Sequence, residues 1–193
     1  MQAQKLCVKL FLKDPAQLHG VKLVPVFQSW IQTHAVEDHL AIDVADYEHV
    51  PDGPGTVLVT HEANFSLDNG GGRPGLLYQR KQPLPGSFGE RLATIFRAVL
   101  QGAVRLEENP GLAFRTDEIS FRIADRLLAP NTAETFSAVK PELETFLRKL
   151  LGSATFQLEH KASAEKLFEV AIKSATTASI SDLLGRLTSS VSA

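Results

Sequence analysis

Residues 56–81, TVLVTHEANFSLDNGGGRPGLLYQRK, constrain the fold of this chain more than any other stretch. Two runs of alternating apolar and polar residues flank a loop that holds three consecutive glycines, an arginine and a proline. A period of two puts successive side chains on opposite faces of a strand. The Asp-Asn-Gly start of the loop accepts the positive φ that a tight reversal needs. The stretch therefore predicts a strand over 56–68, a return strand over 76–81 and a β-hairpin with a long glycine-rich loop between them. On the first strand Val57, Val59, His61, Ala63, Phe65 and Leu67 share one face, with Thr56, Leu58, Thr60, Glu62, Asn64, Ser66 and Asp68 on the other. A short loop can join only antiparallel neighbours, because parallel strands need a long crossover.

The rest of the chain falls into elements around this hairpin. Residues 5–12 alternate, with Leu6, Val8, Leu10 and Leu12 on one face and Lys5, Cys7, Lys9 and Phe11 on the other. That pattern is a half-buried strand with Cys7 as a packing thiol. Asp14-Pro15 resembles a cap followed by proline at a first helical position, and a main helix is expected from about residue 22, with Val24, Phe27, Trp30, Ile31 and His34 on its stripe. Leu40, Ile42 and Val44 mark a further strand that runs into an acidic turn. Ser87 and Glu90 form a capping box ahead of a helical stripe of Leu92, Ile95, Phe96, Val99, Ala103 and Leu106, which Asn109-Pro110-Gly111 stops. A second hairpin is expected over 112–125 with its turn at Thr116-Asp117. Asn131 and Glu134 repeat the cap logic for a helix reaching Leu150, in which Pro141 implies a kink or a split, and Gly152 closes it. Ala154, Phe156 and Leu158 read as a last strand, and Ser163 opens a helix with Leu167, Phe168, Ala171 and Ile172 inward. Ile180, Leu183, Leu184 and Leu187 form a short amphipathic segment before a Ser-rich tail expected to fray. The expected architecture is α+β over a single domain, 1–193, with 176–193 a loosely attached C-terminal helix and tail. Its largely antiparallel sheet has about six or seven strands built from hairpins, with helices packed mainly on one face.

Composition narrows the partners. Twenty basic against twenty-two acidic residues leave a net charge of −2, so no global field draws in a polyanion and nucleic acid is not expected. The one cysteine rules out an intrachain disulfide and a multi-cysteine zinc site. No basic n-region precedes an apolar core at the start, and no stretch approaches eighteen uncharged apolar residues, so neither a leader nor a membrane span is expected and the reading is cytoplasmic.

His61, Glu62, Asn64, Asp68, Asn69 and Arg73 gather within thirteen positions, the densest set of such groups in the chain. The glycine loop could converge backbone amides on an anion, with Arg73 adding a planar double donor. It precedes a strand, however, where phosphate loops precede a helix, and it matches neither GxxxxGK[ST] nor GxGxxG, which favours a hairpin turn. His61 and Glu62 are adjacent on a strand, so they face opposite ways and cannot alone form one site. Asp43, Asp46, Glu48, His49 and Asp52 do not fit the spacing of an EF-hand, and a solvated acidic turn is expected there, with no metal. Neither GxSxG nor HExxH occurs. The segment ADRLLAPNTAET, 124–135, forms a loop that could bring Arg126 and Asn131 toward the hairpin.

With its IDVADYEHVPDGPG and VTHEANFSLDNGGGRPGLLYQRK segments and the later DRLLAPNT, the chain resembles a group of bacterial hypothetical proteins of about this length, over most of residues 5–151. The resemblance implies bacterial origin and a whole-chain domain, and it carries over no catalytic residue. The leading expectation is a domain that binds a small anionic ligand or a partner, without a cofactor, through Glu62, Asn64, Asp68 and Arg73, with His61 as a further member. A homodimer is expected through a sheet edge or the helix at 87–106. Two other readings stay open: an enzyme using His61, Glu62 or Asp43 in acid–base or divalent-metal-assisted work, and a structural or assembly protein without a ligand site.

Overall fold

The computed structural model describes residues 1–109, 111–163 and 165–188. Along the chain lie β1 (Leu6–Leu12), α1 (Leu23–Gln32), β2 (Ala41–Tyr47), β3 (Gly55–Thr60), β4 (Ala63–Asp68) and β5 (Gly75–Arg80), with short 3-10 turns at Pro15–Gly20 and Gly70–Gly72. Then come α2 (Phe88–Glu107), β6 (Phe114–Ile123), α3 (Ala133–Leu151), β7 (Phe156–His160), β8 (Phe168–Ser174) and α4 (Ile180–Thr188). The strands form one eight-stranded sheet in the order β2-β3-β4-β5-β1-β6-β8-β7, antiparallel at every pairing. The fold is α+β, and the sheet is larger than the six or seven strands expected.

The strand count changes at three places where tertiary partners or local side chains overrule the pattern, two adding a strand and one removing it. The run 56–68 is two strands, because Thr60 Oγ1 donates to the Ala63 carbonyl at 2.8 Å and accepts from the Ala63 amide at 3.0 Å. That buried side chain closes a reversal at His61-Glu62 which contains no glycine, asparagine or aspartate. Residues 168–174, expected as helix, form β8 with Phe168, Val170 and Ile172 on one face, between β6 and β7. Conversely, the hairpin expected over 112–125 is the single strand β6: its Thr116-Asp117 segment sits at a register shift against β1, where Leu10 pairs with Ile119 but Leu12 with Phe114.

The helices cover one face only. Leu6, Val8, Leu10 and Leu12 of β1 join Leu58, Phe65, Leu67, Leu76 and Tyr78 in one buried cluster with Phe27 and Trp30 of α1 and with Leu92, Ile95, Phe96 and Val99 of α2. α2 opens with the expected capping box at Ser87 and Glu90. α3 runs past Pro141 without splitting, is capped by Thr132 rather than Asn131, and ends at Gly152 with φ 65°. Asn131 instead donates its side-chain amide to the carbonyls of Lys161, Ser163 and Leu167. α4 buries Ile180, Leu183 and Leu187 in the same cluster. Pro110 and the Ser-rich tail, 189–193, lie outside the described residues.

Candidate functional site

Since every helix lies on one side, the opposite face of the sheet carries no covering element. It shows Val57 and Val59 of β3, Asn64, Ser66 and Asp68 of β4, Leu77 and Gln79 of β5, and Cys7, Lys9 and Phe11 of β1. Beyond them come Glu118, Ser120 and Arg122 of β6 and Glu169, Ala171 and Lys173 of β8. Alternation decides which side chains share this face, but at its centre they bury one another. Cys7, Lys9, Phe11, Val57, Ser66 and Ser120 are all buried, so β1 is buried on both faces and is not the half-buried strand its pattern suggested.

The centre of that face is a belt of charged and aromatic groups. Lys9 sits opposite Leu77 on one side and Ser120 on the other, and its side chain is completely buried. Its ammonium donates to the Asp68 carboxylate in a short ion pair. Burial holds the Lys9 pKa below its ordinary value, with the Asp68 bond opposing and Arg122 and Arg73 adding to the depression. Next to it the Arg73 guanidinium lies 4.0 Å from the Phe11 ring centroid, a stacking geometry suited to a delocalised cation. Arg73 donates through both terminal nitrogens to Glu118, at 3.1 and 2.8 Å. Arg115 approaches the same carboxylate at 3.4 Å while pairing with Asp117 at 2.8 Å. Further along, Ser120 donates to Glu169 at 2.8 Å, and Arg122 pairs with Glu169 at 3.1 Å. Cys7 lies opposite Arg122, and burial pushes its thiol up to about 12.

The residues expected to bind do not all meet. Asp68 and Arg73 both join the belt, one through Lys9 and the other through Phe11 and Glu118. Asn64 shares the open face, paired in register with Val59 and Gln79, and its Oδ1 is buried with no hydrogen-bond partner. His61 and Glu62 sit in the turn before Ala63, the other end of β4, which is itself about 17 Å from Asp68 at ~3.4 Å per residue. His61 is exposed at the turn, where the sequence pattern had placed it among apolar partners. Glu62 accepts the Leu40 amide at 2.8 Å. Burial raises its pKa, but the bonds from Leu40 and its own amide, with His39 and His61 nearby, leave it below the ordinary value. Arg126 donates to the Glu165 carbonyl at 2.7 Å and stays with the loops beside β8. Among the described residues no three of His, Cys, Asp or Glu are gathered as a metal site would require, and no helix is long and apolar enough to cross a membrane.

Sequence reasoning missed Lys9, Phe11, Glu118 and Arg122 as members of the belt, and His39 and Tyr78 elsewhere. The available signal was Lys9 itself, a cation at the middle of an otherwise apolar strand. Glu118 and Arg122 carried none, since only the pairing of β1 with β6 brings them to it. His39 Nε2 lies 3.0 Å from the Tyr78 hydroxyl, which also accepts from Arg80 Nη1 at 3.4 Å. Burial lowers the His39 pKa and raises that of Tyr78, and both rings pack edge-on against Phe65, Tyr78 within the core and His39 half-buried at its margin. Comparisons with family models, with curated proteins and with solved structures returned no match.

Proposed function

We propose that the protein is a binding domain whose uncovered sheet face takes a small anionic ligand, a carboxylate or a phosphate, at the belt around Arg73. The observation that carries this reading is the state of Arg73. Its guanidinium is laid on Phe11, oriented by Glu118 and still half exposed, at 49%. Two of its five N–H donors serve Glu118, which leaves a planar donor edge free for a second oxyanion. Holding the fork in place before binding removes part of the ordering cost that an extended arginine would incur. Arg115, on the same carboxylate, supplies a second cation. Asp68 acts on this site indirectly, by holding Lys9 beneath Phe11 and Arg73.

The test is calorimetric titration of the protein with inorganic phosphate and with acetate. Wild type is expected to bind one of them saturably, Arg73→Ala to lose at least about tenfold in affinity, and Arg73→Lys to recover little of it, because an ammonium cannot reproduce the fork. Equal affinity in wild type and Arg73→Ala refutes the assignment. Binding at Glu62 and His61, which the fold separates from Arg73, would show the opposite dependence, with Glu62→Gln changing the affinity and Arg73→Ala leaving it alone.

A further inference from the structure

The two edges of the sheet are unlike each other. At the β7 edge, Glu159 is paired with both Lys161 and Lys173, the charged guarding that keeps a strand edge from recruiting another chain. At the β2 edge the large side chains are apolar: Leu40 is 64% exposed, Ile42 57%, Tyr47 44% and Val50 40%. These are four of the six large hydrophobic residues found exposed among the described residues, all within one edge strand and its ends. An edge strand with exposed apolar side chains is a template for strand addition, in which the main chain supplies affinity and the alternating side chains supply selectivity.

The charge of this edge decides what it accepts. Between Leu40 and Val50 stand Asp43, Asp46 and Glu48, Asp52 follows, and residues 40–52 contain no lysine or arginine. Asp43 and Asp46 are exposed, and each is tied only to a neighbouring amide, Val44 N at 2.8 Å and Glu48 N at 2.9 Å. A second copy paired β2 to β2 would bring two such acidic strands together, and like charges across a strand pair are destabilising. We infer that β2 is a docking edge for an extended segment of another protein in which two lysines or arginines three positions apart are flanked by apolar residues. Asp43 pairs in register with Val59 and Asp46 with Thr56, so the two point to opposite sides of the sheet. One basic side chain lies against each, and the apolar residues just outside them in the segment cover Ile42 and Tyr47. This surface is separate from the Arg73 belt, so neither assignment depends on the other.

A short synthetic peptide of the pattern Val-Lys-Thr-Thr-Lys-Val tests it, with glutamate in place of both lysines as control, by backbone-amide NMR titration of the full chain. The expected result is saturable binding of the lysine peptide alone, with shifts concentrated in residues 40–50, weakening as salt is raised. The Asp43→Lys/Asp46→Lys variant is expected to lose at least roughly tenfold in affinity while keeping its fold by circular dichroism. Tyr47→Ser, which leaves the charges intact, gives a smaller loss and serves if the double variant fails to fold. No binding of the lysine peptide, shifts that map elsewhere, or equal binding of the glutamate peptide overturns the inference. So does a concentration-dependent dimer of the wild type that Ile42→Lys returns to monomer, since the occupant is then a second copy.

Discussion

Lys9 is a cation with no solvent exposure, and among the described residues Asp68 is the one carboxylate paired with it. Breaking a buried pair by removing one member leaves the other desolvated and uncompensated, whereas replacing both with apolar groups of similar size is often neutral or better. Lys9→Met is therefore expected to cost about 3 kcal/mol, and Lys9→Met/Asp68→Leu to return to within about 1 kcal/mol of wild type or exceed it, as read by denaturant unfolding. A double variant as unstable as the sum of the singles would contradict this account of the pair. The pH dependence follows from the direction of the shift. Between the lowered pKa of folded Lys9 and its ordinary 10.5, the unfolded chain binds more protons, so this residue makes stability rise with pH. Cys7 works the other way: its thiol is raised from 9.0 to about 12, so in that range the folded state holds a proton the unfolded state has released. Its contribution is complete below pH 9 and lost as pH rises toward 12, about 4 kcal/mol at ~1.36 kcal/mol per unit. Cys7→Ala should flatten the alkaline loss of stability in equilibrium unfolding, and the native wild-type thiol should label slowly with alkylating reagents at pH 8. Rapid labelling of the folded protein would refute the burial argument.

At the level of elements, the reversal between β3 and β4 depends on one hydroxyl. Thr60→Val keeps the shape but removes both turn bonds and leaves a buried Ala63 amide without its acceptor, for an expected loss of about 1–3 kcal/mol in thermal or chemical unfolding. An unchanged stability would mean that other bonds hold the turn. Gly75 is fixed by the pairing of β5 with β1, since a Cβ there would lie 2.2 Å from the Leu10 carbonyl oxygen. Much of this level is legible in the sequence. The capping box of α2, the extended run of β1 and the glycine turn before β5 are local signals, and each appears where its residues place it, although β1 is buried on both faces where its alternation suggested one. The misses share a different cause. Phe168-Glu169-Val170-Ala171-Ile172 satisfies both a strand period and a partial helical one, and only the open slot between β6 and β7 decides between them. Thr116-Asp117 has turn chemistry, yet β1 pairs along its flanks and absorbs it as an irregularity within one strand. The turn at His61-Glu62 was hidden because a threonine side chain does there what a glycine or asparagine backbone usually does.

Over the whole molecule, one-sided helix packing is the feature that defines where binding can occur. Eight antiparallel strands need cover on one face only, and the uncovered side collects every outward residue of the central strands. The candidate site is consequently non-local: Lys9, Arg73 and Glu118 come from three separate parts of the chain. Of these, the sequence marked Arg73 through its glycine-rich surroundings, and it marked Asp68 by proximity. It had no means of marking Phe11 or Glu118, whose roles arise only from strand order. His61 and Glu62 were grouped with Arg73 by closeness in sequence, but a strand of six residues holds them at the far end. The most direct test of the central claim is a backbone-amide NMR titration of wild-type protein with inorganic phosphate. The account predicts saturable shifts confined to residues of the belt, 9–11, 68–75 and 115–120, absent in Arg73→Ala. Saturable shifts clustered around 60–63, or none in the belt at concentrations that bind elsewhere, would contradict it.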